Sequence, residues 1–361
     1  MPHPDDPLDS WHLSEPFWKS NRVYGESLLF LQADPQAPVC ARLLFAARQI
    51  QTLRGASHLV TFREGQDYTL DPRSQRICLT PGSTIPFIRQ ADLYRTPGQE
   101  HAIQHKRGDE TTWLYFGEGH HFHDLQVEVT YPHADTWGGF TPQWAGDKLT
   151  RTLGKLRARQ PVTVCLAGDS ISAGANASQL TGVEPYQPSY GPLFTTELMR
   201  SFGSRVAFHN FAVGGEGSAH ALRASPQVAA EKPDLVIIAY GMNNVSQRDP
   251  QGFAQPIAAS MQAIRRENPQ TEFILVASML GNPEWAFTPL EMFPAYREAL
   301  SQLCGDGVVL ADMTQMWTDL LKIKHLFDLT GNGVNHPNDF GHRIYAQVLL
   351  SLLVDQPVET A

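Results

Sequence analysis

The sequence predicts two folds in succession: an all-β region, then an α/β region with a parallel sheet covered by helices on both faces. Three observations predict this. The chain has 361 residues, longer than most single domains. Before about residue 150, short β-type runs are broken by turn residues, with no convincing helix among them. After about residue 160, apolar strands alternate with amphipathic helices, the pattern that gives a parallel sheet between two helix layers.

Residues 1–20 read as an N-terminal arm that Trp11 and Phe17-Trp18 would dock. Residues 21–145 read as a β-sandwich, jelly-roll-like, built from runs such as "RVYGESLLFLQ", "RLLFAARQIQTL", "HLVTFREGQDYTL", "TTWLYFGEG" and "DLQVEVTYP". In "DYTLDPRSQRICLTP", Asp71-Pro72-Arg73-Ser74 turns a hairpin. Residues 146–160 form a linker helix with Leu149, Leu153 and Leu156 along one side, and residues 161–356 the α/β domain. There, "VTVCLA", "RVAFHNFA", "DLVIIAYG", "EFILVAS" and "GVVLAD" are strands. "GPLFTTELMRSFG" is a helix ended by glycine. "FAQPIAASMQAIRREN" carries Phe253, Ile257, Met261 and Ile264 at helical spacing, and a last helix opens at Asn338.

Composition narrows the function. Apolar residues make up 42% and charged ones 18%, ordinary for a globular chain. Net charge is −9 with no basic run, so neither nucleic acid nor an anionic membrane surface is expected as a partner. No run of 18 apolar residues is present to span a bilayer, and no secretory leader is seen, so the expected location is cytoplasmic. Cys40, Cys78, Cys165 and Cys304 lie far apart without metal-ligand spacing and read as buried apolar residues.

Ligands on parallel sheets bind at the carboxyl ends of the strands. Those ends carry Gly168-Asp169-Ser170, Gly214-Gly215 and Gly241-Met242-Asn243-Asn244, and His336 precedes the last helix. Acyl transfer needs such parts. A serine hydroxyl needs a base to take its proton, and imidazole has the matching pKa. A glycine N–H and an asparagine amide can hold an oxyanion without adding charge.

Four blocks, "GDSIS", "NFAVGG", "GMNN" and "GVNHPNDFGH", occur in this order and resemble those of the SGNH hydrolases, also called GDSL esterases. The resemblance covers about residues 161–354. It implies a flavodoxin-like sheet, no metal and no cofactor, and ester hydrolysis through an acyl-enzyme. Ser170 would be the nucleophile, His336 the base, and Ser170 N–H, Gly215 N–H and the Asn243 amide the oxyanion hole. Two-domain relatives with an N-terminal jelly roll suggest a small-molecule ester, first an acetylated carbohydrate, as substrate. There is one departure: the family's Asp three residues before the base is Gly333 here. "GNGVN" reads like a one-residue insertion with Asn332 at the acid's place, and Asp328, Asp339 or a backbone carbonyl are alternative partners for the His336 ring.

Other readings compete. An inactive hydrolase-fold carbohydrate-binding or scaffold protein would explain the lost Asp, and an acyltransferase would use the same site. Asp169 and Asn244 read as local structural residues, and His209 and His342 as packing or capping ones. "GGEGSA" lacks the third glycine of a dinucleotide loop. In "GHHFHDLQVE", His121 and His123 would share a strand face and, with Glu128, approach a metal motif, but no later histidine completes the set.

Overall fold

The computed structural model describes residues 11–71 and 73–355. The β-rich region comprises β1 (Arg22–Gln32), β2 (Cys40–Arg42), β3 (Thr52–Gly55), β4 (Tyr68–Asp71), β5 (Arg76–Leu79), β6 (Phe87–Arg89), β7 (Tyr94–Arg95), β8 (Ala102–Ile103), β9 (Trp113–Tyr115) and β10 (Gln126–Pro132), with a one-turn helix, α1 (His121–Leu125). One sheet runs β3-β10-β1-β2-β5-β4, with β6 also pairing to β1, and a small separate sheet runs β7-β9-β8. The β4–β5 hairpin is present, from Tyr68↔Leu79 to Asp71↔Arg76; Pro72 in its turn lies outside the described residues.

The run at 42–53 is not one strand. Its first residues leave the sheet after β2, yet Leu43, Leu44 and Phe45 are buried. Side chains satisfy the backbone instead: the Leu44 N–H donates to Glu26, the Phe45 N–H to the Tyr131 hydroxyl and the Ala46 N–H to Asp135. Buried amides need partners, and a ladder is only one way to supply them.

The four cysteines do not behave alike. Cys40 and Cys78 face each other across β2 and β5 and form a disulfide, whereas Cys165 and Cys304 are free thiols. The expectation of four buried thiols is corrected: a separation of 38 residues in sequence gives no hint of a cross-strand pair.

The α/β region comprises α2 (Thr150–Arg157), β11 (Val162–Gly168), α3 (Ser170–Ala173), α4 (Ser178–Thr181), α5 (Tyr190–Phe202), β12 (Val206–Asn210), α6 (Ala219–Ala230), β13 (Leu235–Ala239), α7 (Pro250–Glu267), β14 (Glu272–Ala277), α8 (Phe293–Ser301), β15 (Val308–Asp312), α9 (Met313–Leu320), α10 (Leu326–Leu329) and α11 (Asp339–Leu353). Its five strands pair in parallel in the order β12-β11-β13-β14-β15. Helices α5 and α11 pack together, and α6 packs on α7 and α7 on α8. Every residue of β13 and β14 is buried, as apolar strands covered on both faces must be. Among the described residues, no helix is long and apolar enough to cross a membrane.

The two regions share one continuous apolar core. It runs from Trp11, Phe17 and Trp18 of the arm through β1 and β10 to α11. Residues 1–10 of the arm lie outside the described residues. Leu149, Leu153 and Leu156 of the junction are buried in the same core.

Polar contacts across the seam converge on the segments either side of His336. The Leu29 N–H of β1 donates to Asp328 at 2.8 Å. Gln126 of β10 donates to the carbonyls of Phe327 and Thr330, both at 2.8 Å. Asn338 donates to Ser27 and to the Gln126 side-chain oxygen. The central strands of the β-rich region thus grip the loop that carries the histidine.

Candidate active site

The position of Ser170 follows from β11. The strand ends at Gly168, where a Cβ would lie 2.2 Å from Ser172 Oγ and 2.7 Å from the Ala239 carbonyl. Only glycine fits this turn between strand and helix. Asp169 caps α3, its carboxylate accepting from the Ile171 N–H at 3.0 Å, the local role expected of it. Burial pushes the Asp169 carboxyl up to about 7. Ser170 is the first residue of α3, so its N–H is one of the amides a helix leaves without an internal partner.

The structure brings Ser170 and His336 together. The Ser170 hydroxyl lies 2.9 Å from His336 Nε2, hydrogen-bond range for a nucleophile and its base. Gly214 is adjacent, since a Cβ placed on it would sit 3.8 Å from Ser170 Cβ, and Gly215 follows with φ +78°. Asn243 is fixed by one amide N–H donating to the Glu216 carbonyl at 3.0 Å, which ties the third block to the second. Asn244 supports the same junction, accepting from the Ser218 N–H at 2.9 Å.

Among the described residues, His336 meets no carboxylate. Asp328 is occupied by the Leu29 and His325 amides. Asp339 accepts from the Ser178 N–H at 2.8 Å. Neither Asp328 nor Asp339 bonds the ring, which corrects both candidates. His336 Nδ1 instead lies 2.8 Å from Asn176 Oδ1. Desolvation lowers His336 to about 4.

Asn332, which a one-residue insertion would put at the acid's place, works mainly on the loop. Its Oδ1 accepts from the Val334, Asn335 and His336 amides, and its Nδ2, donating to Asn335 Oδ1, also comes within 3.1 Å of His336 Nδ1. Gly333 has φ +84°, and a Cβ there would lie 2.7 Å from both Phe122 and the Tyr115 carbonyl. The β-rich region fills the space an Asp side chain would need.

Asn176 is the residue the sequence reading missed. It lies six residues after Ser170, just beyond the "GDSIS" block, and adopts φ +62°. Asparagine tolerates that left-handed conformation better than most residues, which is the one local signal it carried.

The histidines of "GHHFHDLQVE" do not share a strand face. They lie on α1, where His121 faces the Tyr115 hydroxyl at 2.7 Å and His123 the Glu184 carbonyl at 2.8 Å. Glu128 is held by Arg54, His58 and Arg343. His342 is buried with Nε2 donating to the Ala175 carbonyl at 3.2 Å, and His209 approaches Glu231 at 3.5 Å.

An aromatic cluster stands beside the histidine loop. Asn282 donates to the Gly333 carbonyl and accepts from the Trp285 N–H through its own carbonyl. Trp285 and Phe287 pack at 5.0 Å between ring centres, and His105 packs on Phe287 at 5.1 Å. Phe287 is 42% exposed, so the cluster presents a ring face to solvent. His105 comes from the β-rich region, which pairs here through the Ala286 N–H donating to the His105 carbonyl.

Residues 166–344 match the profile of the GDSL-like lipase/acylhydrolase family. No curated protein matches the chain. Among solved structures, a two-domain esterase active on acetylated mannans, co-crystallised with mannopentaose, is 18% identical, with a TM-score of 0.46. That likeness covers 62% of this chain and only 58% of the other. A carbohydrate esterase family 3 protein from Talaromyces cellulolyticus is 18% identical over 53% of this chain and 94% of its own, with a TM-score of 0.41. A putative GDSL-like lipase from Parabacteroides merdae is 19% identical over 53% and 95%, with a TM-score of 0.42. Likenesses this distant carry no argument about activity.

Proposed function

We propose, from the premise that this chain belongs through residues 166–344 to the GDSL-like lipase/acylhydrolase family, that the protein is a serine esterase. The observation that carries the reading is the 2.9 Å contact between the Ser170 hydroxyl and His336 Nε2. His336 takes the hydroxyl proton as Oγ attacks the ester carbonyl. The Ser170 and Gly215 N–H groups and the Asn243 amide hold the oxyanion. His336 then protonates the departing alcohol, leaving the acyl group on Ser170. Water, deprotonated by His336, attacks that ester, and the acid leaves as Oγ recovers its proton.

The reading extends to a short acyl group on a carbohydrate. Gly214, Gly215 and Asn243 bring no long apolar side chain to the nucleophile, which suits acetyl better than a fatty chain. The His105–Trp285–Phe287 cluster beside the histidine loop offers ring faces against which the apolar face of a sugar can pack. The β-rich region, on this reading, helps wall the alcohol side of the site.

Turnover of p-nitrophenyl esters of increasing chain length tests the activity, with Ser170→Ala as control. Wild-type turnover that falls steeply from acetate to octanoate and vanishes in Ser170→Ala supports the reading. Equal rates for both proteins overturn it and favour a binding or scaffold role.

A further inference from the structure

We propose that Asn176 is the positioning residue of a Ser170–His336–Asn176 triad, taking the place of the acid that Gly333 lacks. The inference rests on the serine-esterase reading above. Its ground is the way the Asn176 amide is pinned. Asn176 Nδ2 donates to the Gly119 carbonyl at 2.8 Å and to the Gly331 carbonyl at 3.0 Å. Both amide hydrogens are thereby used on carbonyls, so the amide cannot flip, and Oδ1 is left facing His336 Nδ1 at 2.8 Å. A carbonyl oxygen only accepts, so Nδ1 carries the proton and Nε2 keeps the lone pair that Ser170 needs.

A second amide contests this choice. Asn332 Nδ2 lies 3.1 Å from the same Nδ1 and would favour the opposite tautomer, with the proton on Nε2 and no base. The shorter contact belongs to Asn176. Asn332 Nδ2 already has an acceptor in Asn335 Oδ1 at 3.0 Å, whereas Asn176 Oδ1 would face a bare lone pair if the ring were reversed. Asn176 thus selects the working tautomer.

The lock reaches outside the α/β region. Gly119 belongs to the turn before α1, in the β-rich region, and the same turn region binds the histidine loop through the Gly117 N–H and the Asn332 carbonyl at 3.2 Å. On the other side, Gly331 approaches so closely that a Cβ there would lie 2.4 Å from Asn176 Cβ. The β-rich region therefore contributes to catalysis through the orientation of one amide.

Two variants and one measurement on the unaltered protein test this. Asn176→Gly suits the φ of +62° and removes the amide. It is expected to lose about 10²-fold in kcat with KM little changed, the scale at which one proton-transfer partner acts. Asn176→Asp keeps an acceptor on Nδ1 but adds a charge, and is expected to retain more activity than Asn176→Gly while moving the acid limb of kcat/KM to higher pH. In wild-type protein, ¹⁵N NMR of the histidine rings is expected to show neutral His336 protonated at Nδ1. Wild-type kcat in Asn176→Gly, an unmoved acid limb in Asn176→Asp, or a proton on Nε2 would each overturn the inference. Failure of the esterase reading is distinguishable, because it appears as undiminished turnover in Ser170→Ala.

Discussion

Lys324 and Glu26 pair at 2.5 Å with neither side chain exposed to solvent, joining the segment before the histidine loop to strand β1. Glu26 also accepts from the Leu44 N–H and the Tyr131 hydroxyl, and Lys324 donates to the Arg42 carbonyl. Burial raises the Glu26 carboxyl pKa, and the Lys324 ammonium opposes that shift. Removing one partner of such a pair leaves a stranded buried charge. Lys324→Ala is expected to destabilise the protein by about 3–5 kcal/mol, read from the urea midpoint. Adding Glu26→Gln should return part of the loss, as the unpaired carboxylate is then gone. A midpoint unchanged in Lys324→Ala would show that the pair contributes nothing to holding the regions together.

The pH dependence follows from His336. Desolvation holds its folded pKa near 4, below the 6.5 of a free imidazole. The base is active when neutral, so kcat/KM should rise with pH through about 4 and be on its plateau by pH 6. Stability has a matching sign. Between about 4 and 6.5 the unfolded chain binds a proton at this site and the folded chain does not, so His336 contributes stability that falls as pH falls through that window. A kcat/KM limb at 6.5 or above would mean that an anion faces the ring after all.

Most of the candidate site could be placed from the sequence because each part occupies a strand end or a helix start. Apolar runs mark β11, β13 and β14 by being buried on both faces, and the residues after them follow by position. Asn176 was not legible, because nothing near it in sequence binds it. Its partners are Gly119, 57 residues earlier, and Gly331, 155 residues later. The helical turn at His121 was missed for a related reason. Five residues are too few for a period of 3.6 to show against one of 2.

Trp285 should separate binding of the alcohol portion from chemistry. Its ring packs on Phe287, and its indole N–H donates to the Gln104 carbonyl of the β-rich region. On the carbohydrate reading, Trp285→Ala is expected to raise KM for an acetylated oligosaccharide about tenfold, the loss of roughly 1.4 kcal/mol of stacking. Turnover of p-nitrophenyl acetate, which lacks the sugar, should stay near wild type. Equal effects on both substrates would remove the cluster from substrate recognition.

The Cys40–Cys78 disulfide makes a countable prediction. Disulfides persist in oxidising surroundings and are rare in the cytosol, so the bond and the cytoplasmic expectation pull in opposite directions. Thiol titration of denatured, unreduced protein should find two free thiols, Cys165 and Cys304. Replacing both Cys40 and Cys78 with alanine should cost roughly 2–4 kcal/mol of stability, as the cross-link restrains the unfolded chain. Four free thiols would mean that β2 and β5 are held by their ladder alone.

Restoring an acid should succeed at position 332 and fail at 333. At Gly333 the backbone has φ +84°, and a Cβ would press on Phe122 and on the Tyr115 carbonyl, each at 2.7 Å. Neither neighbour can retreat cheaply: Phe122 is fully buried and stacked on Phe327, and the carbonyl is main chain. Gly333→Asp is therefore expected to destabilise the histidine loop and lose activity. In Asn332→Asp, Oδ1 keeps the three backbone N–H bonds of the loop, and the second oxygen replaces Nδ2 at 3.1 Å from His336 Nδ1. The donor that favoured the idle tautomer becomes an acceptor for the productive one. Its cost is the contact with Asn335 Oδ1, where a donated hydrogen bond turns into repulsion that a half-buried side chain can turn away from. A carboxylate beside imidazole stabilises the charged ring, so the acid limb of kcat/KM should move up from about 4. An Asn332→Asp protein with an unmoved limb would mean that the loop holds residue 332 away from the ring when His336 is at work.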